Sequence, residues 1–310
     1  MEQSFLAYLR GRTRSLPQVE VGIGDDAAVL SIGDTSLRQV ACTDQIIDGV
    51  DFLSETQSLA DIGYKSIAIN LSDIAAMGAT PTAALVTLAL PKDNATEIAG
   101  EVYEGILEAC AKYQVAIAGG DLSTHDGVLS ISVTLLGTVT DPWLRSTAIE
   151  GDAVFVSGSL GGSIAGRHLR PEPRIELANQ LRQLAQVHAA IDVSDGFSLD
   201  LDRMLAASRV GIELNIDAIP ISDAAQELAQ TSGRSPLEHA WSDGEDFEII
   251  FTVSEEDAKK LTDAQLETQI TRVGTVVGRT GLWKRTTGSK FERVFPQGYI
   301  HEATATASES

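Results

Sequence analysis

The feature that most limits what this chain can fold into is the alternation of strand-length apolar runs with stretches of helical period. Residues 82–90 read as a strand, 95–113 as a helix, 115–118 as a short strand and 129–139 as a strand with β-branched alternation. Upstream lie a short helix near 2–9, a strand near 39–43 and a long helix from about 58 to 77. The stretch 141–152, with Pro142, Gly151 and several polar residues, reads as a boundary. Beyond it the series resumes: strand 153–157 into the glycine-rich turn GSLGGS, helices near 164–169 and 174–187, strand 189–193, helix 198–207, and strands at 211–216, 247–253 and 268–277. This pattern predicts an α+β chain of two domains, 1–140 and 141–300, followed by a small, polar, frayed tail at 301–310.

Composition narrows the function. The 310 residues include 44 Asp and Glu against 23 Lys and Arg, a formal charge of -21. Such a surface repels nucleic acid and anionic membranes, where binding depends on Lys and Arg neutralising phosphates. No apolar run approaches the roughly 18–20 residues of a membrane span, and the opening MEQSFLAYLRGRTR lacks the order of a signal peptide. The expectation is a cytoplasmic protein without nucleic-acid or membrane partners. Cys42 and Cys110 are too few and too far apart for a disulfide scaffold or a clustered zinc site. There is no GxxxxGK[ST] loop, HExxH, GxSxG or CxxC pair, and His125, His168, His188, His239 and His301 are scattered.

What remains is acid in apolar or glycine-rich surroundings. Asp25 and Asp26 stand in GIGDDAAVL, Thr43 and Asp44 in VACTDQIIDGVDF at a predicted strand end, and Asp73 in AINLSDIAAMGA. Asp121 stands in VAIAGGDLS, again at a predicted strand end. Asp192, Ser194 and Asp195 lie in AAIDVSDGFSLDL, and Asp243, Glu245 and Asp246 in SDGEDFEIIF. Singly, an Asp before a helix caps it and an Asp beside Gly makes a turn. Asp73 resists that reading, because inside an amphipathic helix it costs propensity and, once buried, needs a partner or a metal. Six such groups converging would repel one another without cations. Hard oxygen donors with neither Cys nor His clustered beside them point to Mg²⁺, and the chemistry this suggests is phosphoryl transfer without a P-loop, with glycine turns such as 118–120 approaching the phosphates.

The segments GIGDDAAVL, TDQIIDGVDF, YKSIAINLSDIAAMGATP, GGDLS, HLRPEPRI, IDVSDGFSLDL and GEDFEIIFT, with a late GYIH, occur in the order found in the thiamine-monophosphate kinases. The chain resembles that family from Gly22 to His301. The resemblance implies a PurM-like two-domain fold with ATP as co-substrate and thiamine monophosphate as acceptor. It also implies a homodimer whose N-terminal domains complete a β-barrel across the interface. Carried over position by position, it implies a magnesium site built from Asp26, Thr43, Asp44, Asp73, Asp121, Asp192 and Asp195. Cys42, where the family often has Ser or another small residue, would add its carbonyl. Gly120, Asp121, Arg145 and Ser194 would line the ATP phosphates, and Glu245 and Tyr299 would hold thiamine monophosphate, the ring offering the thiazolium a π face. Asp44, Asp121, Asp195 and Arg145 would carry the catalysis.

Three departures stand out. Asp51 replaces a common His and is expected at the thiamine end of the substrate, GGDLSTHDG lacks a frequent TTRG, and SDGEDFEI replaces the commoner GGEDYEL. Related ATP users are the alternatives, among them aminoimidazole ribonucleotide synthetase, selenophosphate synthetase and a hydrogenase-maturation protein. The last two rely on cysteine or selenocysteine positions that this chain lacks. A non-catalytic metal- or nucleotide-binding protein is a further alternative, weakened by the absence of an EF-hand loop.

Overall fold

The structure is a computed structural model that describes residues 2–13, 16–33, 35–285 and 290–300. The expected tail at 301–310, with His301, lies outside the described residues.

The N-terminal half runs α1 (Glu2–Arg12), β1 (Val19–Val21), β2 (Ala28–Ser31), β3 (Arg38–Ile47), α2 (Leu59–Ala76), β4 (Thr80–Pro91), α3 (Ala95–Lys112), β5 (Ala116–His125) and β6 (Ser130–Val139). Its six strands are ordered β1-β2-β3-β6-β4-β5, antiparallel except for the β4–β5 pair, whose crossover is α3. One face of this sheet packs on α2 and α3. The two helices touch through reciprocal glycines: a Cβ at Gly63 would lie 2.0 Å from the Val102 carbonyl oxygen, and one at Gly105 would lie 1.7 Å from that of Ala60. Helix α2 is capped by Ser58 and is buried nearly all round, as expected of a helix with protein on every side.

The C-terminal half runs β7 (Ala153–Ser157), 3₁₀ turns at Ser163–Ala165 and Arg167–Leu169, α4 (Ile175–Leu184), β8 (Val187–Asp192), α5 (Phe197–Ala207), β9 (Gly211–Leu214), α6 (Asp223–Ser232), α7 (Pro236–Ser242), β10 (Ile249–Val253), α8 (Glu255–Asp263), β11 (Ile270–Val277), β12 (Gly281–Arg285) and β13 (Phe291–Val294). These strands form a second sheet ordered β13-β12-β9-β11-β7-β10-β8. The far side of α2 packs on β8, β10 and α4, so one helix is shared by both halves. A joint core of Ala75, Trp143, Phe155, Leu181 and Phe251 seals the contact, with the Arg182 guanidinium 5.3 Å from the Trp143 ring centre and bonded to the Gly78 carbonyl.

Several expectations are corrected. The short strand at 115–118 is a ten-residue strand, β5, so Asp121 is internal to it. Its polar sequence hid it because it is an exposed edge held by pairing to β4. Thr43 and Asp44 likewise sit inside β3 and not at its end. The helix at 164–169 is two 3₁₀ turns interrupted by Gly166, and that at 174–187 stops at Leu184, because Val187 already opens β8. Helices α6, α7 and α8 were not anticipated; each is short, and capping by Ser222, Ser235 and Ser254 sets its start more clearly than its period does.

Candidate active site

A cleft of about 1090 Å³ opens between the two halves, with α2 as its floor. Its acid end is assembled from four elements. Strand β3 contributes Asp44, α2 contributes Asp73 and the end of β8 contributes Asp192 to the lining, while the GIGDD loop before β2 places the fully buried Asp26 carboxylate directly behind them. One carboxylate oxygen each of Asp26, Asp73 and Asp192 lies within 4.8 Å of the others, an all-oxygen group able to take a hard cation. Ser72, adjacent on α2, donates to Asp192 Oδ2 at 2.7 Å and so ties the floor helix to the second half.

Crowding shows in the acid–base behaviour. Burial first, then the Asp44, Asp192 and Asp26 charges, hold the Asp73 carboxyl well above the usual carboxylate range. Asp192 is pushed up by burial and then by Asp26 and Asp200. Asp44 is raised by burial, against a hydrogen bond with Asp73 that favours its ionised form. Asp25 rises to about 6, chiefly by burial. Each raised value means that these acids ionise reluctantly while no cation stands among them.

Arg145 reaches this end from the linker between the halves. Its Nε donates to Asp26 Oδ2 at 3.0 Å, Nη2 donates to the other Asp26 oxygen, and its backbone N–H faces the Asp25 carboxylate at 3.2 Å. The guanidinium is thus committed to the acid loop.

The other expected residues fall in different places. Cys42 lies buried beneath Asp73, its thiol directed at the Asn70 carbonyl, and burial followed by the Asp73 and Asp44 charges pushes that thiol well up. Thr43 alternates to the opposite face of the sheet, where its hydroxyl donates to Val133 O at 3.0 Å. Gly120 and Asp121 stand on the exposed edge strand β5, away from the cleft lining. Asp195 lines the cleft, but its carboxylate pairs with Arg203. The amides of Ser194, Asp195 and Gly196 all converge on Asp200 Oδ2, at 3.1, 2.9 and 3.1 Å. Asp51, Glu245 and Tyr299 also line the cleft; Lys65 bridges the Asp51 carbonyl and the Glu245 carboxylate, and, after burial, the Asp51 charge helps to raise Asp44. Asp51 Oδ2 accepts the Ile47 amide at 2.8 Å, and the Tyr299 amide donates to Asp195 O at 2.8 Å.

Two buried residues went unnoticed in the sequence. Asp200 organises the SDG loop, and Lys65 on α2 is only 1% exposed, with Nζ 2.6 Å from Glu245 Oε1. The signal for Lys65 was present: a charge inside the otherwise apolar run of α2, the same mark that singled out Asp73.

Comparison with known proteins agrees along the whole chain. Residues 24–139 match the AIR synthase related protein N-terminal domain, and 145–283 match the corresponding C-terminal domain. The thiamine-monophosphate kinase of Rhodopirellula baltica is 71% identical over 314 residues, covering 99% of both chains. That of Bacillus subtilis is 35% identical over 87% of this chain and 89% of its own. Among solved structures, AaThiL complexed with AMPPCP and TMP superposes with a TM-score of 0.82 at 28% identity, covering 97% of this chain and 96% of that one. Two consecutive domain matches, a near full-length relative and a shared fold lead to one assignment: the chain belongs to the thiamine-monophosphate kinase family.

Proposed function

We infer that this chain transfers the γ-phosphoryl group of ATP to thiamine monophosphate in the cleft between its two sheets, releasing thiamine diphosphate and ADP. The chain is a thiamine-phosphate kinase, and the single observation that carries the mechanistic reading is the meeting of Asp26, Asp73 and Asp192 at the acid end of that cleft. Three hard oxygen donors from Asp26, Asp73 and Asp192 fit Mg²⁺, which when bound would supply positive charge to neutralise the ATP phosphates. Asp44 joins the same group through Asp73. Ser72 orients Asp192, and Arg145 fixes Asp26. Asp121 and Gly120 belong to the ATP-phosphate end in this reading, reached when the nucleotide lies across the sheet edge, and Ser194 and Asp195, whose carbonyls accept the Glu245 and Tyr299 amides, stand where the ATP phosphates would meet the acceptor. Glu245, Tyr299 and Asp51 belong to the thiamine end, where carboxylates are tolerated beside a cation and disfavoured beside a phosphate.

Transfer is direct in this reading: an anionic phosphate oxygen of the acceptor attacks γ-phosphorus in line, so no protein base and no phosphoenzyme are required. Purified protein given ATP, Mg²⁺ and thiamine monophosphate should form thiamine diphosphate and ADP in equal amounts. ADP released at the same rate without the acceptor would overturn the assignment of acceptor, and net stereochemical retention at a chiral γ-phosphate would overturn the direct step.

The reading extends to assembly, division and location. The outer face of the first sheet carries exposed Leu85 on β4 beside the open edge strand β5, whose main chain has no partner on its far side among the described residues, an edge suited to a second copy that would close a barrel. Light scattering on the eluted protein should give twice the chain mass; an active monomer would refute the dimer. The division at residue 141 is supported by the linker between the two sheets, and a cytoplasmic location by the requirement for ATP. Among the described residues no helix is long and apolar enough to cross a membrane.

A further inference from the structure

Lys65 is anomalous for a helix that forms a core. It sits on α2 with 1% of its side chain exposed, where an apolar residue of similar length would pack as well and avoid desolvating an ammonium. Its Nζ makes two contacts that join the halves of the cleft: the Asp51 carbonyl oxygen at 2.9 Å on the β3–α2 loop, and Glu245 Oε1 at 2.6 Å from the second half. Glu245 has φ of 61°, a left-handed conformation unusual for a residue with a side chain, and its N–H donates to the Ser194 carbonyl at 2.7 Å. Backbone and side chain of Glu245 are therefore each pinned once. Its side chain remains 34% exposed to the cleft, and Oε2 accepts from no other described residue.

We infer that Lys65 is a positioning residue for the thiamine end of the substrate: it clamps Glu245 by one oxygen and presents the other as a fixed acceptor for the cationic, amine-bearing thiamine moiety. This rests on the acceptor proposed above. The ammonium also cancels most of the long-range charge of Glu245, so the carboxylate acts by direction more than by net attraction, and the incoming phosphate of the same substrate is not driven off. Unclamped, Glu245 would exchange its bond to Lys65 for water and lose the preorganised geometry.

The test is steady-state kinetics with each substrate varied separately in wild type, Lys65→Met, Lys65→Arg, Glu245→Gln and the double variant Lys65→Met/Glu245→Gln, alongside thermal melts. Lys65→Met should raise KM for thiamine monophosphate by about tenfold or more, with kcat within about threefold and KM for ATP within about twofold of wild type. Lys65→Arg, which keeps the charge, should show a smaller rise confined to the same substrate. In the Glu245→Gln background, Lys65→Met should add less than about twofold, because its effect passes through Glu245. Loss of kcat with both KM values shifted alike, or a full multiplicative effect in the double variant, would overturn the proposal and leave Lys65 as a strut between the halves. Should Lys65→Met fail to fold, Lys65→Arg made with and without Glu245→Gln gives the same decision. A wild type with no turnover dependent on thiamine monophosphate refutes the assigned acceptor, an outcome distinct from any of these.

Discussion

Replacing Asp73 by Asn should make the metal-free protein more stable and the enzyme nearly inactive. Two carboxylates at the outer limit of the 4.8 Å spacing repel by about 3–4 kcal/mol at an effective dielectric of ~20, and Asp73 faces both Asp26 and Asp192 within that limit. Proton uptake and the Arg145 charge relieve part of this, since Asp73 is held well above the usual carboxylate range by burial and by its acidic neighbours. A net gain of about 2 kcal/mol on substitution is reasonable, which for a chain of this length is a rise of about 3 °C in melting temperature. The pH dependence has a definite sign. A carboxyl whose folded-state pKa is raised contributes stability that is complete below its unfolded value near 4 and is lost as pH climbs through the folded value. Metal-free wild type should therefore lose stability as pH rises from about 4 into the neutral range, with a shallower slope in Asp73→Asn, whereas Mg²⁺ should flatten the wild-type slope by pairing the ionised forms. The assay is a thermal melt in chelator and in a magnesium titration at several pH values, with kcat measured at saturating Mg²⁺. A fall of about 10²–10³ in kcat is expected, as for loss of one preorganised electrostatic contact. A metal-free mutant melting several degrees below wild type, or turning over normally, would refute the reasoning.

Other substitutions separate chemistry from architecture. Asp121→Asn on the exposed edge strand should lower kcat by about 10²–10³ without moving the melting temperature, and normal turnover would return Asp121 to an ordinary surface role. Gly120→Ala should destabilise by about 3 kcal/mol or more, read by urea denaturation, because the new Cβ would lie 1.8 Å from the Val86 carbonyl oxygen. Asp51→Ala should raise KM for thiamine monophosphate, leave KM for ATP unchanged, and cost about 1 kcal/mol of stability through loss of the Ile47 amide bond; a rise confined to ATP would place Asp51 at the wrong end of the cleft.

Helix α2 was legible to within a residue at each end because eighteen residues of apolar period are bounded by Ser58 and by a Met77–Gly78 exit, a signal that tertiary contacts reinforce. Strand β5 was cut short for the opposite reason: its GGDLSTH half has no apolar face to display, and its partner β4 supplies the hydrogen bonds that its own composition does not advertise. The underestimated length of β3 had a chemical consequence. Placed at a strand end, Thr43 and Asp44 read as neighbours on one loop; inside a strand the two-residue period sends Asp44 toward Asp73 and Thr43 to the opposite face. The meeting of Asp26, Asp73 and Asp192 came from motif order, since no local pattern brings a loop, a helix and a strand end to one point.

The same geometry resolves how so acidic a chain handles two anionic substrates. The cations around the cleft are spoken for: Arg145 by Asp26, Arg203 by Asp195 and Asp200, Lys65 by Glu245, and Arg234 by Asp243. Each pair fixes an acid in place at the cost of the free positive charge that would otherwise meet a phosphate. An enzyme that spends its basic side chains on orienting carboxylates would, in the proposed reading, draw phosphate-neutralising charge from a divalent cation, which oriented carboxylates bind. Seen this way Arg145, which holds Asp26, would serve phosphate binding at one remove, while Lys65 serves the thiamine end through Glu245. The -21 formal charge would then cost the enzyme little, because under the proposed reading the phosphates would meet a metal-loaded acid cluster and not the bare surface.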